Sequence, residues 1–410
     1  MSGPIGSSQW MYSSGAASFF SHTIDQSLRF NDGDSAYLSR TPSSASNRRA
    51  FTFSAWIKVN PAATNYPPLF SAGTSAPDTV IRLDNTGKLQ VVLENGGGGD
   101  SLLVTSAQLR DPSSWYHIVC TIDTTNATAD DRIKIYINGT EQTSYSSRTN
   151  PSLNLDTNVN NTVLHKVGAQ RYASYWDGYM AEVHFLDGLA YDASYFGETK
   201  DGVWIPKAYS GSYGTNGFHL TFADSSAIGD DTSGNGNDFT PNNLAAIDVV
   251  PDSPTNNWAT NNGAMRANIT QSEGNLKMVG VGNNYDNMAS TFEIDAEDTD
   301  GWYWEYRSIG NDTATGVGIA VSNNQYFNQS DSANPFAHEN EAGNVHYQGD
   351  GNKRVSGGSA TSYGDSWTAG DIIGVAVKAG AVYFYKNGTI QNSGTAAQTG
   401  ITGRLSLIHI

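Results

Sequence analysis

Cysteine is almost absent from this sequence of 410 residues. Cys120 is the single example, which excludes an intrachain disulfide framework and a zinc site built from thiolates. The residue has the phase of the apolar positions in a stretch of alternating residues, and no basic residue flanks it. We therefore predict a buried and unreactive thiol.

Basic residues and long apolar runs are also scarce. The 23 Lys and Arg residues stand against 40 Asp and Glu, for a formal net charge of −17, and they form no cluster that would bind nucleic acid. No apolar run approaches the ~18 residues of a membrane span. Residues 1–6 lack a basic segment followed by an apolar stretch, so we predict neither a signal peptide nor membrane insertion.

Helical periodicity is rare, and a period of two dominates instead. Apolar residues recur at every second position over residues 51–59, 117–122 and 132–137. This pattern predicts strands with one face on a core and the other towards solvent or a second layer. The third stretch stops at Asn138-Gly139, a dipeptide that favours a type I′ hairpin turn because both residues need a positive φ.

The second half of the chain uses the same device. Residues 302–306, 316–321 and 371–377 are strand-like, and residues 381–388 end in a second Asn-Gly pair. Many short strands joined by turns rich in glycine and asparagine predict an all-β fold built from antiparallel β-sandwiches.

Between the halves, residues 206–262 interrupt the strand pattern with Asn, Asp, Ser, Gly and Pro. Aromatic side chains are scattered through and beside this stretch, and a free linker would lack such anchors. We predict an ordered, loop-rich connector that lies on one or both sandwiches. A helical turn is predicted just before it, with Asp192 as N-cap and Gly197 at its end.

Four stretches of the first half, residues 51–58, 114–121, 133–139 and 176–184, occur in the order typical of one family. They resemble the laminin-G-like domains, which are jelly rolls of the concanavalin type. The resemblance covers about residues 24–200 and implies a jelly-roll sandwich with lectin-like relatives.

The last part of the chain resembles a SPRY domain. Residues 301–306, 316–320, 370–375 and 383–388 match its signature strands in order. The family continues with further strands after the Asn-Gly hairpin, whereas 22 residues remain here and residues 403–410 do not match its ending. We therefore predict a domain truncated at its C-terminus, with an exposed sheet edge where a strand is missing.

These observations divide the chain into four parts. We predict an N-terminal extension over residues 1–23, a laminin-G/concanavalin-like jelly roll over 24–205, the connector over 206–262 and a SPRY-like sandwich over 263–410. The combination resembles marine bacteriophage tail-fibre and virion surface proteins. That resemblance implies a non-enzymatic component, assembled in the host cytoplasm, that binds glycans, a host-surface receptor or neighbouring virion proteins. A homo-oligomer and a bacterial adhesin or secreted carbohydrate-binding module remain open.

The most catalytic-looking motif is Glu293-Ile-Asp295-Ala-Glu297. It matches the E-x-D-x-E pattern of laminarinase-type glycoside hydrolases, in which Glu293 would be the nucleophile and Glu297 the acid/base, with Asp295 between them. The motif also reads as a strand end that runs into a solvated acidic turn, and we favour this second interpretation. Glycoside hydrolysis is kept as the enzymatic alternative.

Two further groups are candidates for ligand binding. Oxygen-bearing side chains in the loop 231–238 are spaced as in a calcium loop, although these residues would equally form Asx turns that cap their own backbone. No cofactor is required, and calcium is the one candidate. The predicted calcium ligands are Asp231, Asn235, Asn237 and Asp238.

An aromatic group between two strand signals would stack on sugar rings at the rim of the sandwich, or pack against the connector. Its members are Tyr172, Tyr175, Trp176 and Tyr179. The eight histidines show no metal-ligand spacing of the H-x-x-x-H kind, and His117 and His184 are assigned no role.

Overall fold

Two compact units make up the chain. The N-terminal unit comprises Phe19–Asn257 with Ser272–Gly274, and the C-terminal unit comprises Met1–Ser18, Trp258–Gln271 and Asn275–Ile410. The computed structural model describes residues 3–4, 19–60, 65–75, 78–94, 100–171, 173–267, 269–280, 287–310, 315–321, 344–356 and 358–409.

Strands account for nearly all regular structure in the described residues. Short 3-10 helices occur at Asp32–Asp34, Ala129–Asp131, Ala193–Tyr195, Ala246–Asp248 and Asn392–Gly394. Across the same residues, none of the helices has the length and hydrophobicity needed to cross a membrane. The strands are β1 (Gly3–Pro4), β2 (Ser27–Phe30), β3 (Tyr37–Arg40), β4 (Ala50–Val59), β5 (Pro68–Ala72), β6 (Thr79–Leu83), β7 (Lys88–Leu93), β8 (Ser101–Gln108), β9 (Trp115–Asp123), β10 (Ile133–Ile137), β11 (Thr140–Glu141), β12 (Tyr145–Thr149), β13 (His165–Val167), β14 (Gly178–Asp187), β15 (Gly197–Lys200), β16 (Val203–Pro206), β17 (Phe218–Leu220), β18 (Thr240–Asn242), β19 (Val249–Val250), β20 (Asn261–Ala267), β21 (Ile269–Ser272), β22 (Lys277–Gly280), β23 (Asn287–Asp295), β24 (Trp302–Arg307), β25 (Gly316–Val321), β26 (Val345–Gln348), β27 (Asn352–Val355), β28 (Thr361–Ser362), β29 (Ile372–Lys378), β30 (Ala381–Lys386), β31 (Thr389–Ile390) and β32 (Arg404–His409).

The N-terminal unit is an antiparallel sandwich of two eight-stranded sheets. One sheet has the order β11-β10-β9-β4-β14-β2-β19, with β17 also paired to β14, and the other has the order β12-β8-β7-β6-β5-β13-β3-β18. Aromatic rings from the two inner faces meet in the core, as where Phe53 stacks on Phe70 with centroids 5.6 Å apart. Alternate residues of β4 fill this core, which confirms the strand prediction from period two.

The outer face of β4 is buried as well. Thr52, Ser54, Trp56 and Lys58 are each at most 5% exposed, because a second layer covers this side of the sheet. Residues 206–257 of the predicted connector belong to the N-terminal unit and contribute to this layer. The additional layer explains why β4 is buried on both faces.

The turn chemistry agrees with the sequence. Asn138 and Gly139 have φ values of 48° and 77°, and Asn387 and Gly388 have φ values of 49° and 79°, as a type I′ turn requires. The predicted helical turn is also confirmed, since the Asp192 side chain accepts a hydrogen bond from the amide of Ser194 at the start of a 3-10 helix. Local turn signals therefore determine these connections.

The C-terminal unit is a second antiparallel sandwich. Its sheets have the orders β1-β24-β29-β30-β31 and β20-β23-β32-β25-β26-β27-β28. Val375 and Phe384 of the first sheet meet Ile319, Tyr347 and Leu405 of the second in one apolar core. The all-β class with two antiparallel sandwiches is therefore as predicted.

The last strand does not lie at a sheet edge. Strand β32 pairs with β23 on one side and with β25 on the other, so it occupies the middle of its sheet. The alternating sequence of residues 404–409 suits such a position, although these residues do not match the SPRY ending. The predicted truncation of the domain stays a prediction.

Candidate functional site

An irregularity in β14 reorients one acidic side chain. Strand β14 pairs Ala181 with Trp56 and His184 with Ser54 of β4, so that Glu182 and Val183 together face one residue of β4. This is a β-bulge, and Glu182 has a φ of +47° there. Without the bulge, strict alternation would direct both Glu182 and His184 into the apolar core with Met180; with it, both side chains lie on the outer face of the sheet.

Three imidazoles converge on this carboxylate. Its Oε2 atom lies 3.0 Å from Nε2 of His219, 3.3 Å from Nε2 of His184 and 3.4 Å from Nε2 of His22. His184 and His219 are direct partners in the antiparallel pair of β14 and β17, which places both rings on one face. The Glu182 carboxylate and these three imidazoles are called the imidazole cluster below.

The outer ring nitrogens of the imidazole cluster also have partners. Nδ1 of His184 lies 2.9 Å from the hydroxyl of Tyr213, and Nδ1 of His219 lies 3.0 Å from the hydroxyl of Thr232. The Glu182 side chain is 10% exposed and the His184 side chain 4% exposed. Burial lowers the pKa of His184 to about 4, and hydrogen bonds from the imidazoles keep the pKa of Glu182 below its usual range despite opposing desolvation.

A narrow crevice, too small to hold a water molecule, adjoins the imidazole cluster. The side chain of His22 is 28% exposed and is the most accessible member. The crevice is lined by His22, Trp56, His117, Glu182, His184, Phe196, Pro206 and Lys207.

His117 lies beside the imidazole cluster and has a packing role. Its Nδ1 accepts a hydrogen bond from Nε1 of Trp204 at 3.0 Å, its Nε2 lies 2.9 Å from the hydroxyl of Ser54, and its ring stacks on Trp56. Burial lowers its pKa to about 3. His117 is therefore a buried, neutral residue of this packed layer.

His184 belongs to a group of residues that the sequence pattern does not single out. Glu182, His184 and His219 each offer one ligand atom within 4.8 Å of the others, a group able to hold a metal ion. The signal in the sequence is Glu-x-His on a strand, which is short and common. His219 follows His184 by 35 positions, and only the pairing of β14 with β17 brings the two residues together.

A second candidate site is an open cavity of about 430 Å³ at the surface of the N-terminal unit. Two loops, residues 225–230 and 238–246, form it. They can approach closely because Gly229 has no side chain: a Cβ at this position would lie 1.8 Å from the carbonyl oxygen of Phe239. Apolar side chains form the floor, and hydroxyl and carboxylate groups line the rim. The lining residues include Ser225, Ser226, Ala227, Ile228, Asp230, Asp238, Phe239 and Leu244.

The predicted aromatic group is largely internal. Trp176 and Tyr179 are each 1% exposed, and the hydroxyl of Tyr179 donates a hydrogen bond to the carbonyl of Gly274. Neither ring is available to a sugar, so the stacking role predicted for these two residues is wrong and packing replaces it. Tyr175 is half-buried against Tyr37, and Tyr172 lies outside the described residues.

The loop predicted to bind calcium uses its side chains internally. Asp231 accepts hydrogen bonds from the amides of His219, Ser233 and Asn237, and Asp238 accepts one from the amide of Asp231. The amides of two asparagines donate to backbone carbonyls: Asn235 to Gly214 and Gly217, and Asn237 to Thr215 and Gly217. The Asx-turn alternative describes these contacts, and calcium binding by the loop stays a prediction.

The E-x-D-x-E motif lies at the end of β23. Glu293, Asp295 and Glu297 are exposed, and the Asp295 carboxylate accepts a hydrogen bond from the amide of Glu297 at 3.0 Å. This is the strand end and solvated acidic turn that we favoured. An exposed carboxylate lacks the enclosed surroundings that raise the pKa of a general acid, so the motif offers no active-site geometry.

The fold and these sites define a protein of two β-sandwich domains. The concanavalin A-like lectin/glucanases superfamily, as the Laminin_G_3 domain, matches residues 31–191, and the SPRY domain matches residues 301–404. The chain therefore contains a laminin-G-type, concanavalin-like domain followed by a SPRY domain. A search of curated proteins found no match to the sequence.

Three solved structures are similar to the chain. Domains LG4-5 of the mouse laminin alpha1 chain share 9% identity, covering 94% of this chain and 82% of that one with a TM-score of 0.32. The native heptameric SAP-like pentraxin of Limulus polyphemus shares 16% identity, covering 43% of this chain and 80% of its own, with a TM-score of 0.30. The Ruminococcus gnavus IT-sialidase CBM40 bound to alpha2,3 sialyllactose shares 12% identity. The match covers 42% of this chain and 96% of that one, with a TM-score of 0.30.

Proposed function

We propose that the chain is a non-enzymatic binding protein whose N-terminal sandwich takes a hydroxyl-rich ligand, such as a neutral glycan, in the cavity between residues 225–230 and 238–246. The observation that carries the proposal is the cavity itself. Its volume of about 430 Å³ is within the ~300–1,000 Å³ typical of small-molecule sites.

The chemistry of the cavity favours a polyol. Ile228 and Phe239 are buried in its floor and offer apolar contact, while the exposed Asp230 and Asp238 offer carboxylate oxygens as acceptors for hydroxyl groups. Ser225 and Ser226 add hydroxyls at the rim. With a formal net charge of −17 the chain repels anionic polymers, so a neutral sugar is the better ligand.

A glycan array followed by calorimetry on the best ligand tests this proposal. Ala227→Trp places a large ring at the cavity mouth and should weaken binding at least about tenfold, which corresponds to ~1.4 kcal/mol. Asp230→Asn should weaken it by a smaller factor, because the amide retains one acceptor. Tyr195→Ala removes an exposed ring outside the cavity and should leave the affinity unchanged.

Two outcomes oppose the proposal. Binding that persists in Ala227→Trp and is lost in Tyr195→Ala would assign the ligand to another surface. An array on which the wild-type protein binds no glycan would remove the sugar ligand altogether.

We extend the proposal to a virion surface or tail-fibre component. The combination of a laminin-G-like domain with a SPRY domain supports it through the resemblance stated above. We expect capsid, portal or tail genes beside the gene for this chain, and the chain among the proteins of purified particles. A genomic neighbourhood without such genes would favour the bacterial adhesin instead.

A further inference from the structure

The imidazole cluster has the composition and spacing of a metal centre. We propose that Glu182, His184 and His219, with His22 as fourth ligand, bind one zinc ion. This site is separate from the ligand cavity, and the proposal does not depend on the proposed function.

Distances between the ligand atoms carry the first step. Zinc bonds of ~2.0–2.2 Å arranged as a tetrahedron place ligand atoms roughly 3.3–3.6 Å apart. The carboxylate oxygen of Glu182 lies 3.3 Å from Nε2 of His184, 3.4 Å from Nε2 of His22 and 3.0 Å from Nε2 of His219. The ligand atoms of Glu182, His184 and His219 lie within 4.8 Å of one another, so small side-chain movements would bring these three to zinc-ligand spacing, and the partly exposed His22 would have to approach them to complete the set.

The charge of Glu182 also favours a bound cation. Within the described residues, all ion pairs of Glu182 are with histidines, and no lysine or arginine neutralises this buried carboxylate. A buried carboxylate is expensive unless a cation or strong hydrogen bonds compensate it. A divalent ion held by one carboxylate and three neutral imidazoles provides that compensation at the centre of the group.

The outer nitrogens of two of the imidazoles have the hydrogen-bond partners that metal-bound histidines need. A metal-bound imidazole donates its remaining N–H to an oxygen, which orients the ring. The hydroxyls of Tyr213 and Thr232 lie at 2.9 Å and 3.0 Å from the Nδ1 atoms of His184 and His219, where they can accept these bonds. Both inner ligands therefore have the partners that zinc histidines use.

The backbone of β14 is irregular at the proposed site. The bulge in β14 places Glu182 at a φ of +47°, a conformation that is unfavourable for a residue with a side chain. Its effect is to direct both Glu182 and His184 away from the apolar core that Met180 and Val183 face. Such bulges occur where a strand must reorient a functional side chain.

Coordination requires one rearrangement. The rings of His184 and His219 are stacked, with centroids 4.1 Å apart and planes 13° apart. Binding to a common ion makes the two rings diverge through small side-chain rotations. His22 is the most exposed of the proposed ligands, and coordination by it would join residues near the start of the N-terminal unit to β14 and β17.

The test uses the full chain, purified without a polyhistidine tag and stripped of metal with a chelator. Titration with Zn²⁺ should show one site per chain, and Co²⁺ in its place should give the visible absorption of a four-coordinate ion with nitrogen and oxygen ligands. Saturating Zn²⁺ should raise the Tm of the N-terminal unit by roughly 5 °C or more.

Variants distinguish a designed site from casual binding by histidine. Glu182→Gln should lower zinc affinity by about 100-fold or more, since loss of even an outer partner costs ~10–100-fold. His22→Gln, at a partly exposed position that should tolerate the change, should lower it about tenfold and alter the Co²⁺ spectrum. His346→Gln removes a buried imidazole of the C-terminal unit and should leave affinity unchanged.

Absence of zinc uptake by the wild-type chain would overturn the proposal. So would equal affinity in His22→Gln, Glu182→Gln and His346→Gln, because the zinc would then be bound elsewhere. If Glu182→Gln does not fold, His22→Gln and its spectrum still decide the outcome.

Discussion

Asp252→Ala should destabilise the N-terminal unit by about 3–5 kcal/mol, one of the two largest effects we expect. The Asp252 carboxylate accepts a hydrogen bond from Nζ of Lys58 at 2.8 Å and another from Nε1 of Trp115 at 3.0 Å. Lys58 is 1% exposed on the outer face of β4, so removal of Asp252 leaves a buried ammonium group without its counter-charge. Urea unfolding followed by tryptophan fluorescence measures the loss.

A matched double variant separates the buried charge from packing. Lys58→Met with Asp252→Asn removes both charges and keeps an oxygen acceptor for Trp115, so we expect it to recover most of the stability lost in Asp252→Ala. Arg49→Ala breaks the exposed pair with Asp156 and should change stability very little. A loss in Asp252→Ala no larger than that in Arg49→Ala would contradict the assigned role of the pair.

Asp177→Asn should increase stability at alkaline pH, the second large effect. Burial, with a contribution from the charge of Asp32, raises the pKa of Asp177 to about 7. Its carboxylate accepts hydrogen bonds from Nδ2 of Asn60 and from the amide of Gly274. These bonds do not offset the loss of solvation, so the folded unit prefers the protonated acid.

The sign follows from proton linkage. Because the pKa in the folded state is higher than in the unfolded chain, this group stabilises the fold fully below pH ~4, and the contribution is lost as pH rises through about 7. The difference between this pKa and that of an ordinary aspartate is worth up to ~4 kcal/mol, so the free energy of unfolding of Asp177→Asn should exceed that of the wild type by roughly 2–4 kcal/mol at pH 8 and match it near pH 4.

Free energies of unfolding measured from pH 4 to pH 8 test this expectation. Buried histidines act in the opposite direction: burial lowers the pKa of His165 to about 4, so stability falls as pH drops below ~6.5 in both proteins. The histidine contribution is the same in both proteins, so it is absent from the difference between their free energies of unfolding at each pH. A difference that does not change with pH would show that Asp177 does not titrate in this range.

Local patterns predicted the strands well because a strand with one apolar face alternates apolar and polar residues, and this alternation is visible within a few adjacent positions. Residues 51–59 and the two Asn-Gly turns are examples, since their conformations depend on side chains within a few positions. The composition of the connector also predicted order. Its aromatic residues indicated packing, although the partner of Asp252, nearly two hundred positions earlier at Lys58, could not be read from the sequence.

The candidate sites were less predictable, for a physical reason. Period two predicts that Glu182 and His184 share a face of β14, but the β-bulge determines which face this is, and only the pairing with β17 brings His219 to them. Trp176 and Tyr179 show the converse error: an aromatic cluster near a predicted rim suggests a sugar platform, and burial depends on what the rest of the chain lays over it. Sites of this kind arise from tertiary contacts between distant segments.

The position of β32 has a consequence for synthesis of the protein. In the larger sheet of the C-terminal unit, β32 lies between β23 and β25. These two strands therefore cannot form their hydrogen bonds with β32 until residues 404–409 have left the ribosome. The N-terminal sandwich needs no residue beyond 274 and can fold while translation continues. The two units should therefore acquire protease resistance at different chain lengths, with the second unit exposing unpaired strand edges until its last strand inserts.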